Sequence, residues 1–432
     1  MYVEKGNTMK TATSYQERIA DGQLKEALAS TGAVQIVGPK WCGKTTTAEQ
    51  VCNSMVYFQN PDERASLLQT AAEKPSLLLT GDKPLLLDEW QDAAEIWDAV
   101  RFAVDRNPAP GQYVLTGSTV VSKDNRAKIM HSGTGRFSTV RMRTMSLWES
   151  GDSNGSVSLA SLFEGGEIEG KSELSLEDVA ALIVRGGWPG LSSSDQVPGN
   201  TAQQYIQSVV NSDMSRVDGV EKNPNRVRLL LRSLARNESS AAKMTILSKD
   251  VSQDEGSLSV NTISEYLEAL RGIYILEEQL PWAEAVRSKV AMRTAPIRRF
   301  CDPSLPAALL GMSAEKLLVD FNTFGLLFES LAVRDLRCYA EAADAQVFHY
   351  HDLRSLECDA IVERRDGTWG AVEIKLSASG HEAAKSTLQK IQKQVRSQHG
   401  GEASFLMVLT NTPYAYRDSD GIYFVPLGCL KP

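Results

Sequence analysis

The stretch Gly38-Pro39-Lys40-Trp41-Cys42-Gly43-Lys44-Thr45 constrains this chain more than any other, because it fits the spacing G-x-x-x-x-G-K-[ST] between a strand-like and a helix-like run. Ahead of it, Ala33-Val-Gln-Ile-Val37 is apolar and β-branched, as a buried strand should be. Behind it, Thr46-Thr-Ala-Glu-Gln-Val51 opens on capping residues and continues in helix formers. Two glycines let the backbone curl until its N–H groups surround an anion at a helix N-terminus. Lys44 is placed to reach the β and γ phosphates of a nucleotide and Thr45 to put its hydroxyl on Mg²⁺; Thr46 is a candidate contact to the α phosphate.

A second motif strengthens this reading. Pro84-Leu-Leu-Leu-Asp88-Glu89 is a short apolar run ending in two carboxylates, the form of a buried parallel strand that delivers acids to a sheet edge. Asp88 is expected to hold the metal through water and Glu89 to polarise the attacking water as general base. A third strand, Gln112-Tyr-Val-Leu-Thr-Gly-Ser118, ends in hydroxyls, with Ser118 suited to sensing the γ phosphate or orienting the water. Together the three predict an α/β P-loop NTPase core, a parallel sheet flanked by helices, with ATP and Mg²⁺ as cofactors.

At these residues the chain resembles a family of bacterial AAA-like P-loop ATPases that carry a C-terminal domain of unknown function. The resemblance runs through Arg18-Ile-Ala-Asp21, the phosphate loop, Leu87-Asp-Glu-Trp-Gln91, Leu115-Thr-Gly-Ser118 and Gly133-Thr-Gly-Arg136-Phe137. It continues in Met145-Ser-Leu-Trp-Glu149, Arg185-Gly-Gly-Trp-Pro-Gly190, Cys301-Asp-Pro-Ser-Leu305, Phe324-Gly-Leu-Leu-Phe-Glu329 and Glu357-Cys-Asp359 with Glu373-Ile-Lys375. It implies ATP binding and hydrolysis.

With 432 residues, 42% of them hydrophobic and 23% charged, the chain has ample material for two or three domains. Composition shifts place an ATPase core in 1–150, a helical and winged-helix-like region in 151–300 and a nuclease-like α/β domain in 301–432. Ser150-Gly-Asp-Ser-Asn-Gly-Ser156 marks the first boundary by its turn formers. A net charge of -8 argues against a surface that coats nucleic acid generally, though not against a local basic groove. Six cysteines without paired spacing suit a reducing cytoplasm. No run approaches the roughly 18 apolar residues that span a bilayer, so neither export nor insertion is expected, and Met9 is an alternative start to Met1.

Basic residues gather at Arg126, Lys128, Arg136, Arg141 and Arg143. Arg136, flanked by Gly135, is the candidate for contacting nucleotide, in its own subunit or as a finger into a neighbour of a homo-oligomer. Farther on, a helical run over Val227–Ala235 precedes Ser257–Leu270 and the strand-like Tyr274–Leu280, the order of a winged helix-turn-helix. The helix starting near Asn261 would face DNA there, but Glu265 and Glu268 repel phosphates. Arg226, Arg228, Arg232 and Arg236 form a basic stripe on the neighbouring helix, either a phosphate track or a solvated face.

The last third holds a second constellation. Cys358-Asp-Ala-Ile-Val362 and Trp369-Gly-Ala-Val-Glu-Ile-Lys375 read as a hairpin around Arg365-Asp-Gly367. With Gly367 left-handed, Asp359 faces Glu373 and Lys375 shares that face. Asp359, Glu373 and Lys375, with Glu329 on a preceding helix, match the metal-dependent nuclease pattern D…(D/E)-x-K, in which acids hold Mg²⁺ and lysine steadies the attacking group. A salt-bridged relic of such a site is the equal alternative. His349 and His351 share a strand face, with no ligand spacing beyond that. Three functions therefore stand open: an ATP-hydrolysing switch acting on DNA or a DNA-associated protein, an ATP-regulated nuclease, and a non-catalytic interaction protein that ATP stabilises.

Overall fold

A computed structural model of the chain describes residues 15–192, 201–214, 222–255, 259–283, 294–352, 355–399 and 401–432. Met1, Met9 and the predicted Ser257 and Leu258 lie outside them. The first layer of structure is set by three apolar runs, Ala33–Val37, Leu85–Asp88 and Tyr113–Gly117, that fold as short buried strands. In chain order come α1 (Ile19–Ser30), β1 (Ala33–Val37), α2 (Lys44–Glu49), β2 (Ser54–Tyr57), α3 (Arg64–Glu73), β3 (Leu85–Asp88), α4 (Glu95–Arg106), β4 (Tyr113–Gly117) and β5 (Phe137–Arg141). The five strands form one parallel sheet in the order β2-β3-β4-β1-β5.

Each face of that sheet packs on helices, as a parallel sheet requires. Ile96, Val100 and Val104 of α4 cover one face with Leu85, Leu87 and Leu115. Leu24 and Leu28 of α1 and Ala48 of α2 cover the other with Val34, Ile36 and Val114. Because β1 lies between β4 and β5 while its helix leads away to β2, the chain changes direction beside β1, and a crevice opens at the carboxyl ends of the strands.

The next unit has its own core. Helices α5 (Pro224–Arg236), α6 (Met244–Glu255) and α7 (Val260–Gly272) are followed by the antiparallel pair β6 (Leu276–Gln279) and β7 (Ile297–Phe300), the element order of a winged helix. Val227, Leu230, Leu231 and Leu234 form the apolar stripe of α5 against Leu247, Ile263 and Leu267.

The C-terminal unit begins with the long helix α8 (Phe321–Ala342), then β8 (Ala345–His351), β9 (Glu357–Arg364), β10 (Trp369–Lys375), α9 (His381–His399), β11 (Phe405–Thr410), β12 (Tyr414–Arg417) and β13 (Tyr423–Pro426). Its sheet runs β8-β9-β10-β11-β13-β12 and ends on a two-residue strand, Gly170–Lys171. Leu430 also pairs with Val157. Leu159, Leu162, Val179 and Ile183 belong to the same apolar cluster as Leu331, Val372 and Met407. Residues 157–183 are thus packed with the C-terminal sheet, whereas the composition shifts grouped them with the helical region. Turn formers mark where a chain leaves an element; they do not say which core it joins next.

Candidate functional site

The crevice at the sheet edge is where the predicted residues meet. Gly38 approaches the backbone of Met142 so closely that a Cβ there would lie 2.1 Å from its carbonyl oxygen. Gly43 takes φ +98°, a conformation that favours glycine, and starts α2. Between them Lys40 and Trp41 form the turn, Trp41 left-handed at φ +65° and exposed, and Cys42 is buried. Lys44 is buried, its Nζ donating to the carbonyls of Gly38 at 3.1 Å and Pro39 at 2.8 Å. The ammonium is therefore aimed into the loop's own concavity. Thr46 is exposed on the first turn of α2.

Opposite the loop, Thr45 Oγ1 donates to Asp88 Oδ1 at 2.7 Å, and Thr116 Oγ1 donates to the same oxygen at 2.6 Å. The register explains why: β3 and β4 lie side by side with Asp88 level with Thr116. Glu89 follows in a left-handed conformation, φ +54°, with its N–H on Thr116 Oγ1 at 3.2 Å. Its carboxylate turns back to β4, where Oε2 accepts from the Ser118 N–H at 3.3 Å and the Ser118 hydroxyl at 2.9 Å, and also from the Gln91 amide. A cleft of about 590 Å³ opens beside these groups, lined in part by Lys40, Arg64, Gln91, Ser118 and Asn125.

The donor set fits a magnesium nucleotide. Mg²⁺ takes one or two carboxylates, hydroxyls and water, the rest being phosphate oxygens. Thr45 and Asp88 offer that pair of hard oxygens, and the glycine cradle and Lys44 offer the phosphate side.

Residues 30–150 match the family described as an AAA domain. The N-terminal part of the chain is an AAA-like P-loop domain. After it come two domains of unknown function, matched over 176–316 and 324–430. Uncharacterized proteins of Mycobacterium tuberculosis and Mycobacterium bovis are each 23% identical to it over 373 residues, 84% of this chain and 75% of theirs. Among solved structures it is similar to a Walker-type ATPase of Pyrococcus abyssi, at 13% identity and a TM-score of 0.40 over 67% of this chain and 94% of the other. The ADP form of the Aeropyrum pernix ORC2 protein is similar at 13% identity and a TM-score of 0.28, over 72% and 92%.

Arg136 is not brought to the phosphate loop of its own chain. Phe137 pairs with Ala33 at the start of β1, while the loop leaves from Val37 at the other end of that strand. The Arg136 side chain is exposed and held by Asp105 at 2.7 Å and the Thr134 carbonyl at 2.8 Å. Sequence spacing placed it after the ATPase strands but gave no sign of which end of β5 it begins. The arginine at the crevice end is Arg141, level with Val37 and 3.7 Å from Glu277.

Arg18 and Arg143 were missed as functional, and so was the partner of Lys40, itself a predicted residue of the phosphate loop. Arg18 donates to the Cys42 carbonyl at 2.7 Å, to the Arg143 carbonyl at 2.9 Å and to Glu149 at 2.9 Å, tying the loop to the end of the core. Lys40 forms an ion pair with Asp213 at 2.6 Å, on a π-helical turn, Val209–Asp213. Arg143 reaches Glu277 on β6 at 2.6 Å and Glu341 on α8 at 2.7 Å, which holds the Glu277 carboxyl well below its usual range despite burial. Arg18 and Glu149 sit inside quoted motifs, yet nothing local pairs residues that far apart.

The second constellation also converges. Arg364 N–H donates to Thr368 O at 2.9 Å and Gly367 takes φ +85°, as the three-residue loop requires. The register Ala360 with Val372, extended by one pair, sets Asp359 opposite Glu373. Lys375 Nζ lies 3.0 Å from Asp359 and 2.8 Å from Glu373. Glu329 on α8 is paired with Arg299 at 2.6 Å. Burial raises both the Glu329 and Glu373 carboxyls, and the charge of Asp359 adds to it. Each acid thus has a cation beside it. Among the described residues no group of three or more His, Cys, Asp or Glu side chains is placed to hold a metal ion. His349 on β8 is buried, and burial with the Arg299 charge lowers it to about 4.

Proposed function

We propose that this chain is an Mg²⁺-dependent ATP-hydrolysing switch acting on DNA or on a DNA-associated partner. The observation that carries the reading is the convergence of Lys44, Thr45, Asp88, Glu89 and Ser118 at the carboxyl ends of adjacent strands. The metal ion supplies charge neutralisation on the phosphate oxygens. Lys44 and the loop N–H groups orient the phosphates; Thr45 and Asp88 hold the cation. Glu89 takes the proton of a water whose oxygen attacks the γ phosphorus as the bond to ADP breaks. Ser118 keeps the carboxylate in place.

Coupling to the rest of the chain runs through short ionic and hydrogen-bonded links. Lys40 connects the loop to Asp213, Val120 N–H donates to Gly272 O at 2.8 Å, and Arg143 joins core, winged helix and α8. A nucleotide that moves the loop therefore works directly on both other units. Support for a nucleic-acid partner comes from α5, where Arg228, Arg232 and Arg236 are exposed at four-residue spacing on one face. Glu265 and Glu268 are exposed on α7, so that helix is the poorer candidate. The exposure of Arg136 at the far end of the sheet supports a finger offered to a neighbouring copy over a contact within its own subunit. No helix among the described residues is long and apolar enough to cross a membrane.

The test is the ATP hydrolysis rate of the purified protein with Mg²⁺, with and without duplex DNA, against Glu89→Gln. Stimulation by DNA supports the DNA-directed switch. Turnover indifferent to DNA moves the action to a protein partner, and no turnover above the variant leaves ATP as a structural ligand. The nuclease reading rests on the convergence of Asp359, Glu373 and Lys375 and requires metal-dependent cleavage of DNA or RNA that Asp359→Ala abolishes.

A further inference from the structure

The motif Leu87-Asp-Glu-Trp-Gln91 ends in a glutamine to which the reaction above gives no task. Gln91 is buried, with 6% of its surface exposed, at the wall of the cleft beside Glu89. Its amide nitrogen donates to Glu89 Oε2. Only the nitrogen end of an amide donates to a carboxylate, so the chemistry of Glu89 fixes the amide's orientation. With the Ser118 N–H and hydroxyl, that makes three donors on one carboxylate oxygen.

The other end of the amide is as informative. Gln91 Oε1 is shielded from solvent and has no hydrogen-bond partner among the described residues, and the Trp90 indole N–H beside it has none among them either. Both lie over Gly117, where a Cβ would meet Gln91 Oε1 at 3.0 Å and Trp90 Nε1 at 3.6 Å. The missing side chain at Gly117 is what makes room for the amide. An unmade hydrogen bond of this kind costs about 1–3 kcal/mol, so it persists only where another requirement holds the side chain. The Asn125 amide donating to the Gln91 backbone carbonyl at 2.9 Å adds a further restraint on this segment.

We infer that Gln91 is the positioning residue of the hydrolytic base. It saturates Glu89 Oε2 together with Ser118, leaving Oε1 as the single oxygen that accepts the proton of the attacking water. The inference rests on the ATPase reading of this site. A base displaced by an ångström loses about a hundredfold in rate without weakening the binding of the nucleotide.

The experiment compares wild type, Gln91→Ala, the similarly sized Gln91→Glu and Glu89→Gln in steady-state ATP hydrolysis. Affinity for a fluorescent ATP analogue and ATP retained after gel filtration are measured alongside. Expected are a kcat lower by roughly tenfold to a hundredfold in both Gln91 variants, KM and analogue affinity within about twofold of wild type, and ATP retained on the protein as in Glu89→Gln. Gln91→Glu keeps the size and loses the donor, so a defect shared with Gln91→Ala is not one of packing. Wild-type turnover that Glu89→Gln loses and both Gln91 variants keep overturns this inference alone. Equal losses in KM and analogue affinity also overturn it, because they describe a collapsed loop. Absence of wild-type turnover overturns the ATPase reading and this inference with it.

Discussion

Lys40 Nζ lies 2.6 Å from Asp213 Oδ1, an ion pair joining the phosphate loop to a π-helical turn 173 residues farther along the chain. Asp213 is buried and Lys40 is partly exposed. An anion entering the loop competes with that carboxylate for the same ammonium, so the pair opposes nucleotide binding by whatever it contributes to the free state. Half-exposed pairs contribute up to about 1 kcal/mol. Asp213→Asn is expected to tighten ATP binding by roughly twofold to fivefold and to speed amide exchange over 201–214 in the nucleotide-free protein. Unchanged affinity and exchange would remove this pair from the coupling route.

Lys44 and Glu89 should separate binding from turnover. Lys44 supplies the buried ammonium aimed at the phosphates, and its replacement by alanine leaves the Gly38 and Pro39 carbonyls facing the ligand. Lys44→Ala is expected to lose at least a hundredfold in nucleotide affinity, on the order of 3 kcal/mol. Glu89→Gln should bind as wild type and not turn over. Titration with a fluorescent nucleotide and a phosphate-release assay check both, and a turning-over Glu89→Gln would refute the assignment of the base.

Gly187 explains a motif that carries no chemistry. Its N–H donates to Asp302 Oδ2 at 2.9 Å, its carbonyl accepts from Met145 N–H at 2.6 Å, and a Cβ there would lie 2.1 Å from the Met145 carbonyl oxygen. The segment Arg185-Gly-Gly-Trp-Pro-Gly190 is the clip between the end of the core and the winged-helix unit. Gly187→Ala should destabilise the protein by about 1–3 kcal/mol or more through forced separation of the two backbones, read as a lower thermal midpoint. A midpoint equal to wild type would show that the clip opens freely.

How far the sequence reaches is visible in these cases. Strands β1, β3 and β4, the phosphate loop and the hairpin carrying Asp359 and Glu373 were legible because each is coded by neighbours: apolar runs, glycines at fixed offsets and a turn that sets the register. Arg299 beside Glu329, Arg18 beside Glu149 and Lys40 beside Asp213 were not. Each pairs charges from separate elements, and a charged residue in a sequence looks the same whether it is solvated or buried against a partner. Arg136 went astray for a related reason: the strand was legible, but its starting end was not.

Glu238 gives the pH test. It is fully buried, accepts from the Ser330 hydroxyl at 2.7 Å and from the Phe300 N–H at 3.4 Å, and lies near Arg299 and Glu329. Burial pushes its carboxyl up from 4.5 to about 7, against the opposing pull of Arg299. Between those values the folded protein keeps a proton that the unfolded chain has released. Stability therefore falls as pH rises through that window and is fully lost from this source above it. The full shift corresponds to on the order of 3 kcal/mol. Glu238→Gln has no proton to lose and still accepts from Ser330. It should match wild type near pH 5 and exceed it at pH 8, so that the two curves of stability against pH diverge as pH rises. Urea unfolding followed by circular dichroism at pH 5, 6, 7 and 8 measures the divergence, and parallel curves would show that Glu238 enters the fold already ionised.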